Sequence, residues 1–345
     1  MKAALFHAHG PIENLSYEEF PAPTPGPGEV LLKVRASALN HLDLFVREGL
    51  PGLTLELPHW GGCDIAGEVA MLGPGVTGWE LGTHVVVNPN LWCGRCRYCL
   101  QGEQSLCVQF RVLGEHTRGG LADYTVVPAA NLFRIPPDYP WAEAAAVPLV
   151  FMTAWRALVS QAKLQAGERV LILGAGGGVA TAAIQIAKLL GATVWAASRS
   201  PDKRARAEAL GAERTFDSNE DWGKAVWQAS NKEGVEVVLE NVGAATWTRS
   251  LRALAKGGRL VTFGATTGPL VEIDLRVLFW KQFHLIGSTM ANSREMEAVL
   301  HEVFWRRTLH PVVDRVLPMH EIQAAHRLLE AGEQFGKIVL VNADD

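Results

Sequence analysis

ERVLILGAGGGVATAAIQIAKLLGATVWAASRS, residues 168–200, carries the strand–turn–helix–strand pattern on which the fold depends. The apolar run Val170–Leu173 ends in a glycine-rich turn, Gly174-Ala-Gly-Gly-Gly-Val-Ala180. Beyond the turn, Val179, Ala182, Ala183, Ile186, Ala187 and Leu190 recur at helical spacing. Glycines between a buried strand and a helix let backbone N–H groups at the helix N-terminus approach a pyrophosphate closely. Counted from Gly174, the run does not fit G-x-G-x-x-G, because Val179 stands in the third glycine's place. It fits a spacing of Gly174, Gly177 and Ala180, with Gly176, Gly178 and Val179 completing the candidate cofactor turn. A glycine turn without a ligand is the bland alternative, and the flanking strand and helix disfavour it.

The second strand of this stretch bears on which dinucleotide is bound. An NAD site places Asp or Glu about 20 residues after the turn, where it accepts from the ribose hydroxyls. Here the strand ends at Ser198 and Arg199, with Lys203 and Arg204 one turn later. A guanidinium with no carboxylate beside it suits a 2′-phosphate through paired hydrogen bonds. NADPH is therefore expected, with NADH the alternative and a merely solvated Arg199 the bland reading.

Outward from this stretch, GVEVVLENVG, GGRLVTFGA and FHLIGSTM add three further strand-and-turn units. Alternation of strand and helix over some 140 residues indicates an α/β fold with a doubly wound parallel sheet. The region before about Asp138 reads differently. PAPTPGPGEV cannot be helical, and VLLKVRASAL, IAGEVAML, THVVVNP and LADYTVVP are short strands bounded by glycine and proline turns. Strands so spaced suggest a barrel-like β domain. The tail carries an amphipathic helix, EIQAAHRLLEAG, and a last strand, KIVLVN.

Composition agrees with two folded domains. The chain has 345 residues, 48% hydrophobic and 20% charged. With 32 basic against 36 acidic residues, the formal net charge is −4, which argues against nucleic acid or an anionic membrane as partner. No run of about 18 apolar residues appears, and MKAALFHAHGP does not read as a signal peptide. A cytoplasmic location is expected. Four of the five cysteines, Cys93, Cys96, Cys99 and Cys107, form C-x2-C-x2-C-x7-C. Four close thiolates can enclose one tetrahedral Zn²⁺ and leave no open position, so the site would be structural. An iron–sulfur cluster and paired disulfides are the rival readings.

Together the two devices resemble the medium-chain dehydrogenase/reductase superfamily of zinc alcohol dehydrogenases and quinone oxidoreductases. The likeness runs through VRASALNHLDLFVREG, the cysteine lobe, PLVFMTAW, the dinucleotide turn and the closing GKIVL. It implies a GroES-like β-barrel domain from residues 1–148 with 289–345, and a Rossmann domain from 149–288. It also implies where a catalytic zinc would be bound: at Asn40, Cys63 and Leu149, with Asp64 a further oxygen donor. An amide, one thiol and a leucine without a lone pair make a poor Zn²⁺ site. The proton-relay positions of the alcohol dehydrogenase branch hold Leu42 and Phe45, so simple alcohol oxidation is not expected. Asn40 and Asp43, in N-x-x-D, resemble the quinone oxidoreductases instead.

The expected reaction is hydride transfer from NADPH to a quinone or an α,β-unsaturated carbonyl, in a dry cleft between the domains and without a catalytic metal. Asn40 would position the nicotinamide or donate to the carbonyl oxygen. Asp43 would orient nearby donors, or simply bond to loop backbone. His41 is the imidazole placed to protonate an enolate, with a packing role as its alternative. Thr153 matches a cofactor-contacting threonine. The strand-end residues Asn241, Gly243, Phe263, Gly264 and Ala265 would line the cofactor's path, and Lys337 would reach its phosphates, with a solvated lysine as the alternative. Trp60 and Phe45 are further candidates for the acceptor pocket, with a place in the core as their alternative. The resemblance implies edge strands at the apolar stretch LRVLFWKQFHLIG that pair across a two-fold axis into a homodimer or homotetramer, and an edge left exposed would otherwise need cover. Two other readings stay open: a zinc alcohol dehydrogenase with atypical ligands, and a non-catalytic NADPH-binding protein.

Overall fold

The computed structural model describes residues 1–342. The chain separates into two compact units, Met1–Val150 with the segment from Asn292 onward, and Phe151–Ala291. The junctions thus follow Val150 and Ala291, where the sequence reading put them after residues 148 and 288. No helix among the described residues is long and apolar enough to cross a membrane.

The second unit is built on a six-stranded, wholly parallel sheet. Its spatial order is Arg214–Asp217, Thr193–Ser198, Arg169–Leu173, Val235–Glu240, Leu254–Thr262, His284–Gly287. Chain order reverses between Arg169–Leu173 and Val235–Glu240, and a crevice opens beyond the carboxyl ends of strands at such a reversal. The helix Gly178–Leu189 buries Ala182, Ala183, Ile186 and Ala187 as the spacing predicts. Thr181 and Ile184 are buried too, while Val179 and Leu190 are only half-buried, so the covered face is rotated from the predicted stripe. Its alanines let helix and sheet approach closely. The stretch LRVLFWK, expected to be part of an edge strand, is the helix Leu275–Lys281, and the edge strand is the shorter His284–Gly287.

In the first unit, Glu29–Ala38 is the organising strand. It pairs with Asp64–Leu72, Tyr124–Pro128 and Lys337–Val341 within a seven-stranded sheet. Register shifts after Leu31 and Val34 bend it, as bulges do. The two ends of the chain are therefore joined through one sheet. Their register brings residues far apart in sequence side by side: Val339 pairs with Ala38, and Ala38 pairs on its other side with Asp64. Carried two residues further, the first pairing sets Lys337 beside Asn40.

Two histidines are buried in this unit. His59 Nε2 donates to Gly114 O at 3.1 Å, and His326 Nδ1 accepts from Arg47 Nη1 at 3.3 Å. Burial pushes the His59 imidazole down to about 4, and burial with the Arg47 charge pushes His326 down to about 3. In the unfolded chain both take up protons near pH 6.5, so they contribute stability above about pH 6.5 that is lost as pH falls toward 4. Asp43 acts oppositely. Burial raises its carboxyl to about 6, so its contribution is lost as pH rises from about 4 through 6. Two imidazoles outweigh one carboxyl, and stability should fall on acidification through this window. His326→Gln keeps an acceptor for Arg47 and should flatten that fall by up to about 1.4 kcal/mol per pH unit. Urea midpoints at several pH values measure it, and an unchanged slope would refute the assignment.

Candidate active site

Asn40, Cys63, Asp64 and Lys337 meet where these strand ends converge, and all four are buried. Lys337 Nζ donates to Asn40 Oδ1 at 2.6 Å and to Asp64 Oδ2 at 2.8 Å. An ammonium only donates, so it fixes the amide's orientation and turns Nδ2 toward acceptors. Nδ2 donates to Asp64 Oδ2 at 2.9 Å and to Cys63 Sγ at 3.3 Å. The other carboxylate oxygen, Asp64 Oδ1, accepts from Leu149 N at 2.7 Å, in the first turn of the helix Pro148–Trp155. That placement also sets a negative charge at a helix N-terminus. Asp43 stands beside the group. Its carboxylate accepts from Asn40 N and Gly62 N, each at 2.7 Å. Gly62 must be glycine: its φ is +90°, and a Cβ there would lie 2.7 Å from Leu121 N.

Several expectations change here. Lys337, expected at cofactor phosphates, is 3% exposed and commits its ammonium to Asn40 and Asp64. Asn40, expected to position the nicotinamide or donate to a carbonyl oxygen, spends its amide hydrogens inside the cluster. Asp43 bonds to the backbone N–H groups of Asn40 and Gly62, the structural reading of its two. His41 is exposed as the first residue of the helix His41–Glu48. Trp60 is a core residue that donates to Gly119 O at 3.0 Å and packs edge-on to Phe20.

The positions where a catalytic zinc would be bound offer it a poor set of donors. Leu149 has no lone pair, and its N–H faces a carboxylate. The Cys63 thiol is pushed well up by burial and by the charges of Asp64 and Asp43, so it resists becoming the thiolate a metal needs. The Asn40 and Asp64 oxygens already hold a cation, Lys337. These residues do not fit Zn²⁺.

The cysteine lobe does fit it. None of the five cysteines is in a disulfide. The Sγ atoms of Cys93, Cys96, Cys99 and Cys107 all lie within 4.8 Å of one another, with Cys93–Cys99 at 4.0 Å and Cys96–Cys99 at 3.5 Å. Four bonds of about 2.3 Å in a tetrahedron require sulfurs about 3.8 Å apart. The spacing encloses one ion, not a multi-iron cluster. Backbone N–H groups point inward, Cys96 N to Cys93 Sγ at 3.4 Å and Cys93 N to Cys107 Sγ at 3.3 Å. Hydrogen bonding to backbone pulls the Cys96 thiol down to about 6. This is a closed structural-zinc cluster. Among the described residues it is the one group of three or more potential His, Cys, Asp or Glu metal ligands.

In the second unit, Gly174–Gly178 lies between the strand Arg169–Leu173 and the helix Gly178–Leu189. No side chain caps that helix at Gly177, so its first N–H groups remain for an anion. Lys203 lies across the turn: a Cβ on Gly176 would fall 2.4 Å from Lys203 Cδ and 3.1 Å from Nζ. Asn241, at the end of the neighbouring strand, faces Gly174, and its buried Oδ1 has no hydrogen-bond partner. An orphaned acceptor beside an uncapped helix N-terminus fits a dinucleotide with its own donors. Gly264 passes close to Asn241 O, with Phe263 half-buried beside it. Thr153 is buried, and its hydroxyl's partner is the weakly accepting Met290 sulfur at 4.0 Å. Ser198 Oγ accepts from Ser200 N. Arg204 pairs with Asp217 at 3.0 Å, whereas the exposed Arg199 guanidinium makes no hydrogen bond or ion pair among the described residues.

Sequence reasoning passed over Glu240, which is fully buried. Its carboxylate accepts from Val242 N at 2.8 Å, Gly243 N at 3.1 Å, Thr246 Oγ1 at 2.9 Å and Ser250 Oγ at 2.5 Å. It fixes the loop that presents Asn241. An acid closing the apolar run VEVVL was the signal available.

Comparison with known proteins gives two family matches: the alcohol dehydrogenase GroES-like domain over residues 26–137, and zinc-binding dehydrogenase over 178–305. An alcohol dehydrogenase of Schizosaccharomyces pombe is 30% identical across 98% of this chain and 97% of its own. The acryloyl-coenzyme A reductase of Metallosphaera sedula is 31% identical across 99% of both. A solved NAD-dependent alcohol dehydrogenase superposes with a TM-score of 0.95 at 42% identity, covering 99% of this chain and 100% of that one.

Proposed function

The chain belongs to the medium-chain zinc alcohol dehydrogenase superfamily, and from that premise we propose that it reduces an α,β-unsaturated carbonyl with NADPH, without a catalytic metal. It is an NAD(P)-dependent oxidoreductase of this type, with a GroES-like domain and a Rossmann sheet. Its relatives include both alcohol dehydrogenases and an acryloyl-coenzyme A reductase, so the local donors have to decide between the two chemistries. The observation that carries the proposal is the Lys337 ammonium held by Asn40 and Asp64 where a metal would need their lone pairs.

An alcohol must lose its proton as hydride departs, which calls for a Lewis acid or a base. Leu42 and Phe45 hold the relay positions and supply neither. An electron-poor C=C conjugated to a carbonyl needs neither: hydride adds at the β-carbon, the π pair moves toward the carbonyl oxygen, and the α-carbon takes a proton. Bound nicotinamide would supply that hydride. Gly174–Gly178 and Lys203 would hold the pyrophosphate, Asn241 and Thr153 would orient the remainder, and His41 is the exposed imidazole for the α-carbon proton. Assays of NADPH oxidation against enones, enoyl thioesters, quinones, aldehydes and alcohols test this. Turnover of enones or enoyl thioesters is expected. A quinone-only or alcohol-only profile would refute it.

The nucleotide preference rests on Arg199 at a strand end without a carboxylate. Arg199→Asp should reverse the preference from NADPH toward NADH by about 10- to 100-fold in kcat/KM, the loss of one to two charge-assisted bonds. A wild-type preference for NADH would contradict the assignment. The partner we propose is a second copy of the chain. Leu270, Leu275, Phe279 and Trp280 are each at least two-thirds exposed next to the edge strand His284–Gly287, and such an apolar edge needs cover. Light scattering that reads a single chain's mass would sink this.

A further inference from the structure

We propose that Asn40 and Asp64 form a primary-ammonium pocket, which the chain fills itself with the side chain of Lys337. This deepens the metal-free reading of the same cluster and rests on it. A lysine at the first position of a strand would normally run its flexible stem out to water. This one is 3% exposed and ends between two oxygens, Asp64 Oδ2 on the strand Asp64–Leu72 and Asn40 Oδ1 at the N-cap of the helix His41–Glu48, 273 and 297 residues away in sequence. Part of the pocket is held by contacts other than those of Lys337. The Asn40 backbone N–H donates to Asp43 Oδ2 and Leu149 N donates to Asp64 Oδ1, so the Asn40 backbone and the Asp64 carboxylate are held from behind. Asp64 supplies the charge, and the Asn40 carbonyl supplies direction. The arrangement accepts donors and nothing else, because Asn40 Nδ2 is turned away toward Asp64 and Cys63. Lys337 is thus a positioning residue: it fixes the amide and the carboxylate, and through them the strand ends around the site.

Shortening the side chain should leave a vacancy selective for a small primary ammonium ion. In Lys337→Ala, NADPH-dependent turnover should drop by about tenfold or more, with a lowered melting midpoint. n-Propylammonium replaces the deleted stem and head group. It should raise the melting midpoint saturably and restore most of the lost turnover. Neutral propanol and bulky tetramethylammonium should do neither, and the surface variant Lys256→Ala should not respond to the amine. If Lys337→Ala folds only with the amine present, refolding yield becomes the readout. Lys337→Ala with Asp64→Asn removes the pocket's charge and should be indifferent to propylammonium. Equal responses to amine and propanol, or a double variant that responds like the single one, would overturn the proposal. The melting data also separate it from the functional reading. Amine stabilisation in a protein inactive on enones leaves the pocket standing and removes the activity. Enone turnover by wild type with no amine effect on the variant does the reverse.

Discussion

Lys337→Met is expected to lower stability by about 3–5 kcal/mol, the usual effect of leaving one member of a buried ion pair unpaired. Methionine matches the stem's volume, so cavity formation contributes little and the loss reports the missing charge. Asp64 is 0% exposed and would keep Leu149 N and Asn40 Nδ2 as donors but lose Lys337 Nζ at 2.8 Å, its one charged donor among the described residues. Asn40 would lose the donor that sets its amide. Adding Asp64→Asn should recover a large part of the loss, because a neutral amide costs far less to bury than an unpaired carboxylate. A double-mutant cycle from denaturant midpoints measures the coupling. A single variant within about 0.5 kcal/mol of wild type, as for an ordinary surface change, would mean the pair is solvated.

The second large effect belongs to the cysteine lobe. Its segment holds only the four-residue helix Arg97–Leu100 and the short turn Gln104–Leu106. Leu100, Leu106 and Val108 are exposed at 75%, 51% and 71%, so the lobe has almost no apolar core of its own. Metal–thiolate bonding must hold it, and structural zinc in small folds contributes on the order of 10 kcal/mol or more. Cys99→Ser should therefore abolish zinc retention and expose the lobe to trypsin at Arg95 and Arg97. The second unit, with its separate core around Trp222 and Leu171, should keep its cofactor affinity. Undiminished zinc content, or a lobe still resistant to trypsin, would contradict the assignment.

What could be read from the sequence depends on how local each feature is. The four thiols fall within fifteen residues, so spacing alone points to one enclosed ion. The glycine turn Gly174–Gly178 lies between its own strand and helix, and local pattern placed it there. Lys337 was misjudged because its partners are brought to it only by the pairing of Val339 with Ala38. A lysine opening a strand looks solvated until register is known. Asn40 was misjudged for the same reason: a polar residue in a candidate pocket looks free until its amide is accounted for. The edge that the resemblance implies along LRVLFWKQFHLIG is shared between the helix Leu275–Lys281 and the short strand His284–Gly287, a division that no local pattern in the stretch marks. Glu240 was overlooked since nothing in a single carboxylate announces four donors converging on it.

The central claim is that this family member works with a lysine ammonium where a catalytic zinc would need its ligands. Zinc stoichiometry measured on the same preparation that is assayed with enones and alcohols tests it most directly. One zinc per chain, released together with the fold of the cysteine lobe, with enone reduction and no alcohol oxidation, is the predicted result. Two zincs per chain, with alcohol oxidation that rises and falls with the second, would contradict it.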